Sequence, residues 1–280
     1  MLKKRPAGMM VRNIAILLLL LLFLVPLIYT LSTSLKFDRE IYKTPVTLIP
    51  RNLTPDHYIH ILTKLRRDFL SFFKNSVVVT VVSVFLILSL SSLASYALAR
   101  MSFIGRKLVI FFVSLVVSIP LIITVIPIFM METFLKIKNT NIGLILPYTA
   151  VYMPIPLFIL YATFLKIPTE LEESAKIDGC NRFSIYLKIF LPLSRGGLVS
   201  AGIISFLNCW GEFLYALILT SKRSSTTLPI GILMIKNEEQ AWELGPLSSI
   251  IILSIIIPVT LYMIFQKYFI KGLMEGSLKG

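Results

Sequence analysis

The chain has 280 residues, of which 56% are hydrophobic and 15% charged, and its mean hydropathy is +0.84. A water-soluble fold of this length cannot bury so much apolar surface, so the composition excludes an ordinary soluble domain and indicates an integral membrane protein. The net charge of +14 does not indicate nucleic-acid binding, because the 28 Lys and Arg residues are scattered over tails and connections.

Six stretches of low charge are long enough to cross the hydrocarbon core, which takes about 20 residues. They predict an all-α fold with six transmembrane helices between an N-terminal tail (1–12) and a C-terminal tail (270–280). The stretches are residues 13–35, 75–99, 108–131, 139–165, 196–221 and 244–266. Prolines inside four of them predict kinks, read either as packing features or as parts of a moving gate, at Pro26, Pro120, Pro127, Pro147, Pro154, Pro156 and Pro258.

The distribution of basic residues favours cytoplasmic termini. The N-terminal tail and the short connection over residues 100–107 carry dense positive charge beside the ends of predicted spans, which is the pattern of cytoplasmic segments. The eight Lys and Arg residues between 36 and 74 favour the opposite orientation. Counted over whole connections, the two sides are nearly balanced.

The segments between the predicted spans leave no room for a soluble enzymatic domain, since the longest covers residues 36–74. The two cysteines, Cys180 and Cys209, form neither a disulfide framework nor a metal-binding pattern. The chain also lacks a serine nucleophile elbow, an H-E-x-x-H pair and a G-x-x-x-x-G-K-[ST] phosphate loop. We therefore predict no catalytic site and no metal site.

The segment between the fourth and fifth stretches, residues 168–192, has the pattern of two short helices. Thr169 and Glu172 have the spacing of a capping box, so the first helix is predicted to begin at Thr169. One reading is an amphipathic loop on the membrane surface. An anionic inner leaflet would repel the carboxylates of the first helix, so a protein partner is favoured; these residues are Glu170, Glu172 and Glu173.

The middle of this segment predicts a turn between the two helices. Gly179 stands where the first helix would end in a residue with left-handed backbone conformation. That conformation is adopted without strain only by a residue that lacks a β-carbon. Asn181 can cap the second helix, and Pro192 is predicted to close it. An apolar stripe along the second helix is predicted from Phe183, Tyr186, Leu187, Phe190 and Leu191.

The order of residues in this segment resembles the EAA signature of the membrane subunits of binding-protein-dependent ABC importers, with Ser174 in place of the first of its two alanines. The matching residues are Glu173, Ser174, Ala175, Gly179, Ile189, Leu191 and Pro192. Extended through Asp178 as LEESAKIDG, the match looks like the sugar-importing branch, and specifically like the second permease of maltose-type transporters. The resemblance continues through NSVVVTVVSVF, SYALARMSFIGR, CWGEFLYALILT, TLPIGI and QKYFIKGLMEGSLKG.

The resemblance implies a permease domain over residues 13–269 with both termini in the cytoplasm of a prokaryote. Residues 168–192 would include a coupling helix that docks in a cleft of an ATPase subunit. The implied partners are a second permease subunit, two ATPase subunits, an extracytoplasmic substrate-binding protein and the lipids of the cytoplasmic (inner) membrane. ATP and Mg are expected on the partner ATPase, and the chain itself is expected to bind no cofactor.

The substrate path is predicted around the fifth stretch, because a charge inside a membrane span usually faces a cavity or a partner. The candidates are Asn208, Trp210, Glu212 and Tyr215. The alternative is that Glu212 fixes helix packing or the subunit interface, and Gly211 replaces an Asn of the family motif. Glu132 is interpreted as interfacial, and Tyr58 and Trp242 as contacts for the binding protein or as aromatic belt residues.

These features predict a permease that translocates a sugar or oligosaccharide by alternating access. Two alternatives stay open. One is the same architecture with another cargo, such as a polyamine, a phosphate ester or a peptide; the other is a membrane scaffold or sensor without transport activity. The binding protein and the second permease are expected to do most of the sugar selection.

Overall fold

Helices account for all regular structure in residues 6–238 and 244–277, which are the parts of the chain that the computed structural model describes. The helices before residue 168 are α1 (Pro6–Ser34), α2 (Asp38–Ile41), α3 (Asp56–Thr63), α4 (Arg66–Arg100), α5 (Arg106–Ser118), α6 (Leu121–Phe134), α7 (Asn141–Tyr152) and α8 (Pro154–Leu165). The later helices are α9 (Thr169–Ile177), α10 (Arg182–Leu193), α11 (Arg195–Trp210), α12 (Leu214–Leu219), α13 (Leu228–Glu238) and α14 (Leu244–Ser277).

Three of these helices, α1, α4 and α14, are each long and apolar enough to cross a membrane. Three further pairs pass the same test together but are bent, by 103° between α5 and α6, 47° between α7 and α8, and 79° between α10 and α11. Length and composition therefore allow up to six spans if each bent pair is one span. The all-helical membrane architecture agrees with the prediction.

Several predicted spans differ from the observed helices. The stretch 75–99 lies inside the longer α4, since the charged residues before it are good helix formers even though they are too polar for a membrane core. The stretch 108–131 is interrupted at Ile119, which is extended because the following Pro120 disfavours the helical conformation. The stretch 139–165 bends ahead of Pro154, and 196–221 is broken after Trp210. Kinks were thus correctly predicted at two of the prolines.

The described chain divides into two units, one drawn from residues 1–69 and 232–256 and the other from residues 70–231 and 257–280. In the first unit, the connection after α1 is folded around Glu40, whose carboxylate accepts hydrogen bonds from the Arg51 backbone N–H at 2.9 Å and from the Thr47 hydroxyl at 3.2 Å. These bonds, chiefly the one from Arg51, lower the pKa of Glu40. Residues 36–54 therefore have a defined structure outside the spans.

In the second unit, α8 and α11 pack closely where a glycine replaces a side chain. A β-carbon on Gly197 would lie 2.5 Å from the Thr163 hydroxyl oxygen, which itself bonds the Ile159 carbonyl at 2.8 Å. The neighbouring Gly196 has nothing within 4 Å of the same position. Small residues that let helix backbones approach are the usual contact between membrane helices.

We expect Gly197→Ala to destabilise the protein by about 1–3 kcal/mol, because Thr163 is branched at its β-carbon and cannot move aside without shifting α8. The measurement is the thermal unfolding midpoint of the purified protein in detergent. Gly196→Ala is the matched control, since it makes the same gain in helix propensity without the contact. Equal midpoints for the two variants would show that α8 and α11 do not pack this way.

Candidate coupling segment and substrate path

The first helix of the segment over residues 168–192 begins at Thr169, as predicted, but the capping box does not form. Pro168 holds the N-cap position, so Thr169 is already helical and its side chain makes no cap hydrogen bond. Glu172 is buried instead and pairs with Lys176 one turn later at 2.8 Å. The carboxylate that was predicted to cap the helix therefore lies on the buried side of α9, in an ion pair within the same helix.

The predicted turn between the two helices is confirmed. Gly179 has φ of +79°, a left-handed conformation, and a β-carbon there would have nothing within 4 Å. A larger residue at Gly179 would therefore cost backbone strain and would not clash. The Asn181 side chain accepts a hydrogen bond from the Ser184 backbone N–H at 2.8 Å and caps α10.

The second helix, α10, differs from the prediction in its end and in its buried face. It contains a π turn over Tyr186–Phe190 and continues through Pro192 to Leu193. A π turn rotates the residues after it relative to an α-helix, so a stripe drawn with α-helical spacing is misplaced. Tyr186 and Phe190 are buried as predicted and Leu191 is half-buried, but Phe183 and Leu187 are exposed and Ile185 is buried.

The residues of the EAA-like signature lie on both faces of the segment. Ala175 is buried in a cluster of apolar residues, and Ile189 and Leu191 are half-buried against it. The exposed members of the set are Glu173, Ser174, Asp178, Gly179 and Pro192. The outer face also presents Ile177, whose side chain is 87% exposed, and Phe183, which is 61% exposed.

The inner face is held by an aromatic cluster that the sequence analysis did not identify. The Tyr96 ring on α4 lies 4.9 Å from the Phe190 ring and 6.4 Å from the Phe164 ring, measured between centroids. Its hydroxyl donates to the Arg182 carbonyl at 3.2 Å. The signal available in the sequence was SYALAR, which contains Tyr96 and Arg100 at helical spacing.

The charge in the fifth stretch lies at the helix break. One carboxylate oxygen of Glu212 accepts the Tyr215 backbone N–H at 2.8 Å, and the other accepts the Ala216 N–H at 3.0 Å. The second oxygen also accepts the Tyr148 hydroxyl of α7 at 2.5 Å. Glu212 is buried, so its carboxylate satisfies the start of α12 and ties it to α7. This arrangement is the packing role that the sequence left as an alternative.

The other substrate-path candidates surround this break. Tyr215 is fully buried, and its hydroxyl lies 2.5 Å from the Thr124 hydroxyl on α6. Trp210 stacks on Phe206 at 5.7 Å between centroids, and Asn208 is half-buried on α11. The structure thus joins Glu212 to Tyr215 directly, while Trp210 packs on Phe206 of its own helix and edge-on against Phe73 of α4, at 6.1 Å between centroids. A contact of these four residues with a substrate stays a prediction.

Glu132 near the end of α6 is buried within the chain, with 1% of its surface exposed, and its position at the membrane interface stays a prediction. The first turn of α7 covers it, since a β-carbon on Gly143 would lie 3.0 Å from its carboxylate. Tyr58 is half-buried and its hydroxyl lies 2.7 Å from that of Ser34. Trp242 lies outside the described residues.

Residues 87–275 match the family described as the binding-protein-dependent transport system inner membrane component. The chain belongs to this family. The permease is 35% identical to the sulfoquinovosyl glycerol transport system permease protein of Agrobacterium fabrum, over 98% of this chain and 95% of the relative. It is 32% identical to the trehalose/maltose transport system permease protein of Thermococcus litoralis, over 95% of each chain.

A solved structure has the same fold as the permease. It is a chain of a bacterial ABC transporter involved in the import of the acidic polysaccharide alginate. The two chains superimpose with a TM-score of 0.83 at 20% sequence identity, over 95% of this chain and 98% of the other. The likeness therefore extends over nearly the whole permease.

We expect Glu212→Ala to destabilise the permease, because the substitution leaves two backbone N–H groups and the Tyr148 hydroxyl without their acceptor. A buried donor without an acceptor costs about 1–3 kcal/mol. The measurements are the yield of folded protein and its thermal unfolding midpoint in detergent. Tyr148→Phe, which removes one of the three bonds, should be milder. A Glu212→Ala protein with normal yield and midpoint would contradict the packing role.

Proposed function

We propose that the chain is the transmembrane permease subunit of an ATP-driven importer, which translocates a sugar or oligosaccharide by alternating access. Family membership and the relatives named for sulfoquinovosyl glycerol and for trehalose and maltose support this cargo class. Uptake of labelled neutral oligosaccharides by cells that carry the full transporter, and its loss without this chain, tests the cargo. Uptake of only charged solutes would reject it.

The observation that carries the proposal is the two-faced structure of the segment between α8 and α11. Its inner face is anchored by Ala175, Tyr186 and Phe190, while the apolar side chains of Ile177 and Phe183 are exposed. Exposed apolar groups on a firmly held segment are typical of a protein-binding surface. The segment is therefore suited to dock against a soluble partner, which we propose is an ATPase subunit.

The remaining partners follow from this arrangement. A second permease subunit and two ATPase subunits would complete the membrane complex, and a substrate-binding protein would deliver the sugar from outside. ATP and Mg would bind the ATPase subunits, so the chain itself would not be an enzyme. A second solved chain of similar fold belongs to a bacterial alginate ABC transporter in complex with an alginate pentasaccharide-bound periplasmic protein. This complex supports a binding protein as a partner.

In the proposed mechanism, six spans lie in the cytoplasmic membrane with both termini and residues 168–192 in the cytoplasm. Closure of the ATPase subunits on ATP would displace the docked segment, and the displacement would reach the spans through α8 and α11, which flank it. The bends between α5 and α6 and between α7 and α8 provide places where a span can change direction without unfolding. The path would then open alternately to each side.

We expect Ile177→Asp to reduce ATPase co-purification sharply while leaving the permease inserted in the membrane. The substitution places a charge on the exposed apolar face, where docking would have to bury it without a partner. The measurement is the amount of ATPase retained with tagged permease. Ile104→Asp is the matched control, because Ile104 is a fully exposed isoleucine in the connection before α5. Equal retention in both variants would remove the segment from the ATPase interface.

We expect Lys176 and Ser224 to lie on opposite sides of the membrane. Both side chains are exposed, Lys176 on α9 and Ser224 in the connection between α12 and α13. Single cysteines at these positions, in a protein in which Cys180 and Cys209 are serine, should differ in labelling by an impermeant thiol reagent added outside intact cells. Position 224 should be labelled and position 176 should not. The reverse pattern would overturn the proposed orientation.

A further inference from the structure

One face of α4 contacts the segment over residues 168–192 at three successive turns. Ser92, Tyr96 and Arg100 are four residues apart, so their side chains lie one above the other on the helix. The Ser92 hydroxyl lies 2.6 Å from the Tyr186 hydroxyl, and the Tyr96 hydroxyl donates to the Arg182 carbonyl at 3.2 Å. Ser92 and Tyr96 on this face of α4 therefore contact the first half of α10.

Arg100, the last residue of α4, contacts the chain near both ends of the segment. Its Nη2 donates to the Phe164 carbonyl at 2.7 Å and to the Ile167 carbonyl, just ahead of Pro168. Its guanidinium carbon also lies 5.0 Å from the centre of the Phe190 ring, close to the end of α10. A single side chain therefore holds the entry and the exit of the segment at the end of one membrane helix.

An adjacent face of α4 contacts the start of α8 through serine hydroxyls that donate to backbone carbonyls. The Ser95 hydroxyl donates to the Leu157 carbonyl at 2.7 Å, and the Ser91 hydroxyl donates to the Met153 carbonyl at 3.3 Å. The end of α4, the second half of the α7–α8 pair and the segment after it are thus joined side by side. A displacement of the segment has a direct route into α4.

The chemistry of Arg100 suits a joint between parts that move together. A planar guanidinium can bond two carbonyl oxygens and stack on an aromatic ring at once, which a lysine ammonium cannot do in a fixed geometry. Among the described residues, no acceptor lies within hydrogen-bond distance of its Nε, although that atom is buried. The guanidinium therefore has a further N–H donor, which could bond the segment if the segment shifts relative to α4.

We propose that Arg100 is the positioning residue through which movement of residues 168–192 is transmitted to α4. The proposal rests on the proposed function, since the movement is the one that ATPase closure would impose. The function of Arg100 is to keep α4 and the segment moving as one body, with Tyr96 and Ser92 as weaker points along the same face. Without Arg100 the segment follows the ATPase while α4 lags behind.

The test uses the full transporter complex in proteoliposomes, in which Cys180 and Cys209 are serine. Spin labels are placed at two exposed positions, Lys188 on α10 and Leu93 on α4, and their distance is measured without nucleotide and with Mg-ATP and vanadate. In the otherwise wild-type complex the distance distribution should not shift. With Arg100→Gln or Arg100→Lys it should shift or broaden on nucleotide addition.

Binding-protein stimulation of ATP hydrolysis is the second readout. It should fall about fivefold or more in both Arg100 variants while basal hydrolysis persists, since loss of coupling between sites is typically of this size. Arg106→Gln is the matched control, because Arg106 contacts the Tyr161 hydroxyl on α8 at 3.4 Å and not the segment. It should behave as the wild type does.

The outcomes separate the inference from the proposed function. If the complex without Arg100 substitutions shows stimulated hydrolysis and the Arg100 variants keep both its distance distribution and its stimulation, the inference is overturned and the proposed function stands. If the binding protein does not stimulate ATP hydrolysis by the unsubstituted complex, the proposed function itself is overturned. If the Arg100 variants do not assemble, Phe190→Leu decides, because it removes the ring that the Arg100 guanidinium contacts within the segment and leaves Arg100 in place. An unshifted distance and full stimulation in that variant would also overturn the inference.

Discussion

Each break in an apolar helix of this protein must replace the hydrogen bonds that the helix loses, since hydrocarbon offers no water to the freed N–H and C=O groups. At the break after Trp210, Glu212 receives two backbone N–H groups and closes the start of α12. At the end of α8, the Phe164 and Ile167 carbonyls are taken by Arg100. Glu212 and Arg100 thus satisfy backbone groups that the ends of these helices leave free.

The second constraint is close approach between helices. The hydrophobic effect that drives packing in water is weak between helices in lipid, so contact depends on small residues and on hydrogen bonds across the interface. Gly197 lets α11 approach Thr163 of α8, and Ser91 and Ser95 bond α8 to α4. These three helices form the framework on which the segment over residues 168–192 is placed.

That segment combines opposite surface properties within a short length of chain. Its inner face is an aromatic and aliphatic cluster typical of a core, which fixes its orientation relative to α4 and α8. Its outer face leaves Ile177 and Phe183 in contact with solvent, which is unfavourable for the isolated chain and would be relieved by a docked partner. A rigid mount and an apolar outer face suit the docking role that we propose for this segment.

The sequence by itself determined the membrane class, the apolar stretches, the start of α9, the left-handed Gly179 and the Asn181 cap, and its resemblance to a permease family is confirmed. These features depend on composition or on backbone preferences within one helical turn. Only the tertiary structure decided that Glu172 is buried, that Phe183 is exposed, and that Glu212 bonds a tyrosine 64 residues away. Such contacts depend on which distant helices meet, and no local pattern in the chain encodes that choice.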